Sequence, residues 1–295
     1  MMKRKYEFIV NPVAGPKNNI RYFKQLKAEL RERGIPFDSK KTKRAGHAPK
    51  LVRKRLQKRK AVIVSVGGDG TFNEAASVLV GTSREMAHIP RGSGNGLARM
   101  LKIPNRVSRI ADYLESGKAK AIDVGKINDD HFFCTCGFGF DALIAHHFEG
   151  SEKRGLKGYV GYVLKSFFNF KGIDARFSLD GENFSGKYFA VTIANADQYG
   201  NDAFIAPEAD LEDGLLDVTM IKPFPLWYTP VLAVALFGKW IHKSRYVETR
   251  KVREVEVQAM SKPFFHADGD VYALQLPARI TVLPKGLNLL VPSSR

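Results

Sequence analysis

Residues 64–74 read VSVGGDGTFNE: an apolar run, then Gly67, Gly68 and Gly70 crowded around the carboxylate of Asp69, then a segment of helical character. A glycine-rich turn between a strand and a helix lets backbone N–H groups approach an anion, because side chains would hold it off and such turns often need φ > 0. An aspartate in that cradle repels phosphate. The conflict disappears if the carboxylate shares a cation with the phosphates, or accepts the proton of an incoming hydroxyl. The plainer reading is a tight turn with a capping aspartate.

Outward from this stretch, 61–66 (AVIVSV) reads as a buried strand by length and β-branched content, and 6–10 (YEFIV) as another, ending at NPVAG. Between them the pattern predicts a helix over 19–33, with Tyr22, Leu26 and Leu30 at helical spacing and Gly34 as its stop. A strand over 36–41 and a basic helix over 48–59 follow. Beyond the motif come a helix over 74–80, a strand over 86–90, a helix over 96–101 closed by Pro104, and a helix over 107–114. Such alternation predicts a parallel sheet covered on both faces, with ligands at the carboxyl ends of the strands. The turns at 11–15, 67–71 and 92–95 all follow strands, so they gather at one sheet edge. Each brings glycine and an amide or hydroxyl: Asn11, Thr71 with Asn73, and Ser93 with Asn95. Neither G-x-x-x-x-G-K-[ST] nor a strand-anchored G-x-G-x-x-G is present. Converging loops of this kind describe a nucleotide phosphate site.

From residue 122 the texture changes to short, alternating, turn-punctuated runs, with Asp180-Gly181 as a hairpin turn. This half reads as an antiparallel sandwich with helices inserted over 155–170 and 226–240. The expected domains are 1–122 and 123–295, with the last residues free to return to the first.

The chain has 295 residues, 44% of them hydrophobic, and 47 Lys and Arg against 30 Asp and Glu, a formal charge of +17. That excess implies nucleic acid, phospholipid or a phosphorylated small molecule as partner. Thirteen of the cations fall between residues 31 and 60. They suit peripheral contact with an anionic membrane, at about 1 kcal/mol per basic residue near the bilayer. Nucleic acid is disfavoured, because no recognition module accompanies them. Cys134 and Cys136, the only cysteines, are too few for a disulfide framework and read as buried small side chains in a cytoplasmic setting. The amino terminus is not read as a signal peptide. The longest apolar run, PFPLWYTPVLAVALFGKWI at 223–241, is broken by Pro225, Pro230 and Lys239, whereas a spanning helix wants about 20 apolar residues. It reads as a helix of a soluble protein, its apolar face meeting either the core or lipid. His146-His147 is not read as a metal site, since adjacent helical histidines point apart, and His47 is a candidate phosphate contact.

NPVAG, GGDGTFNE, PRGSGNGLAR at 90–99, GFGFDA at 137–142, IAPEADLEDGLLDV at 205–218 and ADGD at 267–270 follow one another in an order that resembles the diacylglycerol kinase catalytic-domain family, which includes sphingosine kinases and bacterial lipid kinases. The resemblance implies an α/β fold: a Rossmann-like nucleotide domain, then a mostly antiparallel β-sandwich, with the active site in the cleft between them. It implies phosphorylation of a membrane-lipid hydroxyl, such as that of diacylglycerol or a sphingoid base, with ATP and Mg²⁺, by a cytoplasmic enzyme peripherally attached to membrane. A homodimer is left open. Carried over by position, ATP contacts fall on Asn11, Pro12, Val13, Ala14, Gly15, Thr42, Gly67, Gly68, Asp69, Gly70, Thr71, Phe72, Asn73 and Ser93. A Mg²⁺ loop falls on Asp213 with the backbone carbonyls of Asp210 and Leu215. The proton acceptor falls on Asp270, where the family's usual Glu is replaced and the reach shortened by one methylene, so Asp69 competes for that role. GSGNG is closer to the sphingosine kinase form, and Tyr199-Gly200-Asn201 stands where many relatives carry a glycine cluster, so the acceptor lipid stays open. Two alternatives remain. One is an NAD kinase-like enzyme, which would share GGDGT but not the later motifs. The other is a non-catalytic nucleotide- or membrane-binding module, against which intact Asp69, Asp213 and Asp270 stand.

Overall fold

The computed structural model describes residues 4–15, 19–56, 61–148, 166–167, 169–262 and 264–293. The chain forms two compact units, Met1–Val124 with Pro284–Arg295, and Gly125–Leu283.

In the first unit, β1 (Tyr6–Val10), α1 (Asn19–Glu32), β2 (Phe37–Lys41), α2 (Ala48–Leu56), β3 (Val62–Gly67), α3 (Asp69–Ala76), β4 (Glu85–Pro90), α4 (Gly96–Met100) and α5 (Val107–Ser116) alternate as the pattern predicts. The strands run parallel in the order β2-β1-β3-β4, so the order reverses between β1 and β3. All residues of β1 and β3 are buried, since helices cover the sheet. α1 buries Phe23, Leu26 and Leu30, and α5 buries Ile110, Ala111, Tyr113 and Leu114, stripes set by the helical period. Tyr6 donates its phenolic hydrogen to the Leu114 carbonyl and ties β1 to α5. One boundary differs from expectation: α3 begins at Asp69, not at residue 74. The Asp-Gly-Thr of the motif is the first turn of a helix rather than part of the loop before it.

The basic run of this unit is partly internal. Arg55 meets the buried Glu7 at 3.3 Å, and Arg33 pairs with Glu29, Asp112 and Glu115. Lys40, Lys41, Lys43, Arg44, Lys50 and Arg53 are exposed. Residues 58–60 of the run lie outside the described residues.

β5 (Lys118–Ile127) leads from the first unit into the second, where its end pairs with β6 (Asp130–Phe132). The second unit continues with β7 (Thr135–Gly139), α6 (Phe140–Phe148), β8 (Ile173–Leu179), β9 (Glu182–Tyr188), β10 (Ala190–Ala194), β11 (Leu216–Ile221), α7 (Thr229–Phe237), β12 (Val247–Val252), β13 (Glu254–Met260), β14 (Phe264–Ala267) and β15 (Asp270–Ala273). The last strand, β16 (Ala278–Val291), pairs antiparallel with β13 through its first half and parallel with β4 through its second. One antiparallel sheet has the order β12-β11-β10-β7-β14-β15; β16, β13, β8 and β9 form the facing layer. Between the layers Phe138 meets Phe177 edge-on at 5.9 Å, with Phe132, Ile193, Val218, Val255 and Ile280 around them. The β8–β9 hairpin turns at Asp180-Gly181, with φ of 47° and 89°, as a two-residue loop requires. Cys134 and Cys136 are buried, and burial holds the Cys136 thiol well above its ordinary pKa. Most of the helix expected over 155–170 lies outside the described residues. Over 226–240 a 3₁₀ turn at Leu226–Tyr228 leads into α7, which Gly238 ends. Among the described residues no helix is long and apolar enough to cross a membrane.

Candidate functional site

Three loops at the carboxyl edge of the first unit's sheet are joined by hydrogen bonds that begin where the strands end. The Asn11 N–H reaches the Val66 carbonyl at 2.9 Å, and the Arg91 N–H reaches the Gly67 carbonyl at 2.7 Å. Asn11 Nδ2 donates to Thr71 Oγ1 (3.0 Å), while Asn19, buried on α1, donates to the Asn11 carbonyl (2.8 Å) and accepts from Arg91 Nε (3.2 Å). Arg91 also stacks over the Tyr22 ring, 3.9 Å from its centroid. Two glycines are dictated by contact. A Cβ on Gly92 would stand 2.7 Å from the Gly68 Cα, and one on Gly15, at φ 75°, would overlap the Arg91 carbonyl. The loops close around a cavity of about 550 Å³ lined by Asn11, Ala14, Gly15, Gly68, Gly70, Thr71, Gly92 and Ser93. Ser93 is exposed at it; Val13 is exposed and Pro12 half-buried in the first of the loops.

Asp69 lies between two of these loops. Its Oδ2 accepts the Asn95 N–H at 2.8 Å, and Asn95, left-handed at φ 52°, is the residue before α4. The Asn95 side chain closes the same turn, accepting from the Gly92 N–H (3.0 Å) and donating to the Gly92 carbonyl (2.6 Å). The aspartate therefore caps one helix while starting another, where the dipole favours an anion. Burial pushes its carboxyl above the usual carboxylate range, against hydrogen bonds from the Asn95 and Gly96 backbone. Phe72 turns inward: it is buried, edge-on to His88 at 5.0 Å, so its side chain packs in the core. Burial drives the pKa of His88 down to about 3, and its Nδ1 lies 2.8 Å from Ser65 Oγ. Asn73 is half-buried on α3. Thr42 is buried, its N–H on the Val10 carbonyl at 2.8 Å. His47 accepts the Lys43 N–H through Nδ1 (3.1 Å), which closes its own turn. Glu74 accepts from the Gly46 and Ala48 N–H groups (2.7 and 3.1 Å), so it fastens the loop after β2 and caps α2. Glu74 and Arg91 lie inside the motifs GGDGTFNE and PRGSGNGLAR, but sequence alone assigns neither a role.

In the second unit the two aspartates of ADGD differ. Asp268, at φ 50°, accepts the N–H groups of Phe133, Cys134 and Thr135 at 2.9, 2.8 and 3.2 Å and fixes the turn. Asp270 opens β15 and is exposed. At the start of α6, Asp141 Oδ2 meets His266 Nε2 of β14 (3.0 Å), the Tyr199 hydroxyl (3.1 Å) and Thr192 Oγ1 of β10 (3.2 Å), a polar cluster that one-dimensional spacing could not assemble. Burial and the Asp141 charge hold the Tyr199 phenol far above its ordinary pKa.

The acidic loop at 210–215 carries its own cation. Asp213 Oδ1 accepts the Leu215 N–H (3.0 Å) and Oδ2 accepts from Lys251 Nζ (2.9 Å); the same ammonium reaches Asp217 Oδ2 (3.0 Å) and the Glu208 carbonyl (3.1 Å). Asp210 accepts the Glu212 N–H (3.0 Å). Burial alone would lower the Lys251 pKa, but the two carboxylates outweigh it and hold it above the ordinary value. The ammonium occupies Asp213 Oδ2, so a divalent ion at that oxygen would have to displace Lys251. Among the described residues no group of three or more His, Cys, Asp or Glu side chains is placed to hold a metal.

Two family models match the chain. Residues 5–127 match the diacylglycerol kinase catalytic domain, and residues 134–291 match the YegS C-terminal NAD kinase beta sandwich-like domain. The chain is similar to the diacylglycerol kinase of Bacillus subtilis (strain 168), 27% identical over 303 residues covering 100% of this chain and 98% of the relative. It is 29% identical to that of Mycobacterium tuberculosis over 294 residues, 96% and 94% of the two chains. A YegS-like lipid kinase of Pectobacterium atrosepticum is 28% identical, with 90% and 89% covered. Among solved structures, a diacylglycerol kinase from Bacillus anthracis has the same fold, with a TM-score of 0.73 at 20% identity over 99% and 98% of the two chains.

Proposed function

Because the chain belongs to the lipid kinases that join a diacylglycerol kinase catalytic domain to a YegS-type C-terminal sandwich, we propose that it moves the γ-phosphoryl group of ATP, with Mg²⁺, to a hydroxyl of a membrane lipid such as diacylglycerol or a sphingoid base. The observation that carries this reading is the Asp69–Asn95 hydrogen bond at 2.8 Å. It takes the one carboxylate of the glycine-rich motif into the loop framework, so the surrounding N–H groups, Thr71 and Ser93 serve the phosphates. Phosphoryl transfer depends chiefly on positioning and charge neutralisation, and backbone donors at a helix start supply both. When bound with the nucleotide, Mg²⁺ supplies neutralisation of the phosphate charge. Asp69 thus acts on the loops, and Asp270, exposed and outside the Asp268 anchor, is the residue we assign as proton acceptor. The exposed lysines and arginines around α2 support peripheral contact with an anionic membrane.

The test is incubation with γ-labelled ATP and Mg²⁺ against diacylglycerol, sphingoid bases, NAD and no acceptor. Label in a lipid is the expected result; label in NAD alone overturns the reading. For the base, Asp270→Asn keeps size and polarity but removes basicity, so turnover should fall at least ~10²-fold with the KM for ATP little changed. Recovery of the rate at high Mg²⁺ would make Asp270 a metal or water ligand instead.

A further inference from the structure

The segment from Leu226 to Phe237 is covered on one side only. Leu232 and Ala235 of α7 are buried with Ile241 against Ala190, Ala194 and Ile221, so the inner face is fixed to the sheet. The outer face is bare: Leu226, Trp227, Val231, Val234 and Phe237 are five of the seven large hydrophobic residues exposed in the described chain, and Trp227 and Val234 are 67% and 61% exposed. Exposed apolar side chains scattered singly need no explanation, but a cluster on one element does.

Charge identifies what covers it. Between Asp217 and Glu248 the chain has no acidic residue, while Lys222, Lys239, Lys243 and Arg245 flank the apolar segment in sequence, Lys222 pairing with Glu248 at 3.5 Å. Lys239 lies over the Phe204 ring at 4.0 Å, and Arg245 lies 6.0, 5.7 and 4.9 Å from the rings of Trp227, Tyr228 and Tyr246. Amphipathic aromatic rings beside long cationic side chains, around a helix too short to span, are the composition of an element lying in the interfacial layer of a bilayer. A protein interface would instead deplete lysine at its core. We propose that the turn Leu226–Tyr228 and α7 insert their outer face into an anionic lipid bilayer, with Trp227 at headgroup depth and Val234 and Phe237 in the acyl region. The lipid-kinase reading favours a bilayer as occupant; the surface itself is read from exposure and charge.

The test uses the full chain and needs no nucleotide. Trp227 and Trp240 are the only tryptophans, so Trp240→Phe leaves one indole as reporter. With vesicles of phosphatidylcholine and phosphatidylglycerol, Trp227 emission should shift to the blue and be quenched by brominated acyl chains. Val234→Ser with Phe237→Ser, both at exposed positions, should weaken co-sedimentation at least about tenfold. Lys239→Gln with Lys243→Gln should remove most of the preference over pure phosphatidylcholine. An unquenched Trp227, or a serine variant that sediments like the wild type while α2 charge variants do not, overturns the proposal. So does a drop in oligomeric mass in the serine variant, which would make the face an interface between copies. Phosphorylation of detergent-dispersed lipid is measured in parallel. Vesicle insertion without it leaves the surface standing and removes the lipid-kinase reading, whereas phosphorylation without insertion does the reverse.

Discussion

Asp69 is half-buried and His88 fully buried in the first unit, and their opposite shifts predict opposite responses to pH. Burial raises the Asp69 pKa, so the folded state holds that proton more tightly than the unfolded chain. Its stabilising effect is complete below the unfolded carboxyl pKa of about 3.9 and is lost as pH rises through the folded value. Asp69→Asn keeps an acceptor for the Asn95 N–H without the charge, so its melting temperature should gain on the wild type between pH 3.5 and pH 7. A constant difference would show that ionisation at Asp69 costs nothing. His88 goes the other way: lowered to about 3, it contributes stability above about 6.5 that is lost as pH falls toward 3. His88→Gln should flatten that acid limb of the wild-type curve. Neither environment was legible beforehand. Phe72, beside Asp69 in the motif, reads as a nucleotide contact by position, yet its ring packs on His88, because the first turn of a helix points successive side chains in different directions.

At the scale of elements, the strand-to-turn junctions were legible because buried parallel strands announce themselves by apolar runs and their turns by glycine. What holds those turns to one another was not, since Asn19, Asn95 and Glu74 act on partners far along the chain. Gly92→Ala tests the closeness of the loops. Its Cβ would stand 2.7 Å from the Gly68 Cα, and relief requires the loops to part. The expected outcome is a loss of about 1–3 kcal/mol in chemical unfolding and a weakened calorimetric signal for ATP binding. The acidic loop offers a second test. Lys251→Met leaves Asp213 and Asp217 facing each other with their ammonium gone. With Lys251 about a third exposed, the loss should be about 1–2 kcal/mol in chelator, short of a fully buried pair. Millimolar Mg²⁺ should restore part of it in the variant and leave wild-type melting unmoved. An equal Mg²⁺ shift in the wild type would return the loop to the metal.

For the whole molecule, the α/β-then-sandwich division was legible from a change of periodicity, whereas the distribution of its +17 charge was not. Arg33 and Arg55, which sequence position groups with the surface cations, are tied up in ion pairs. Attraction to anionic vesicles should weaken as salt rises from 0.05 to 0.5 M, and the residual binding at the upper end should belong to the α7 face, which salt screens least. Complete loss at high salt would mean that charge alone carries the association. The path of the chain adds a constraint in time. The parallel sheet is finished by residues of β16, which bury Leu287, Leu289 and Leu290 beside β4 and accept the Tyr113 hydroxyl hydrogen at the Leu290 carbonyl. Everything from Gly125 to Leu283 is therefore translated before the first unit can close. On the ribosome the opening 124 residues must wait with β4 as an open edge while the inserted sandwich, continuous in sequence, folds ahead of them. The unit whose residues are made first is the second to be completed, and a nascent chain short of β16 lacks the strand that covers the edge of β4.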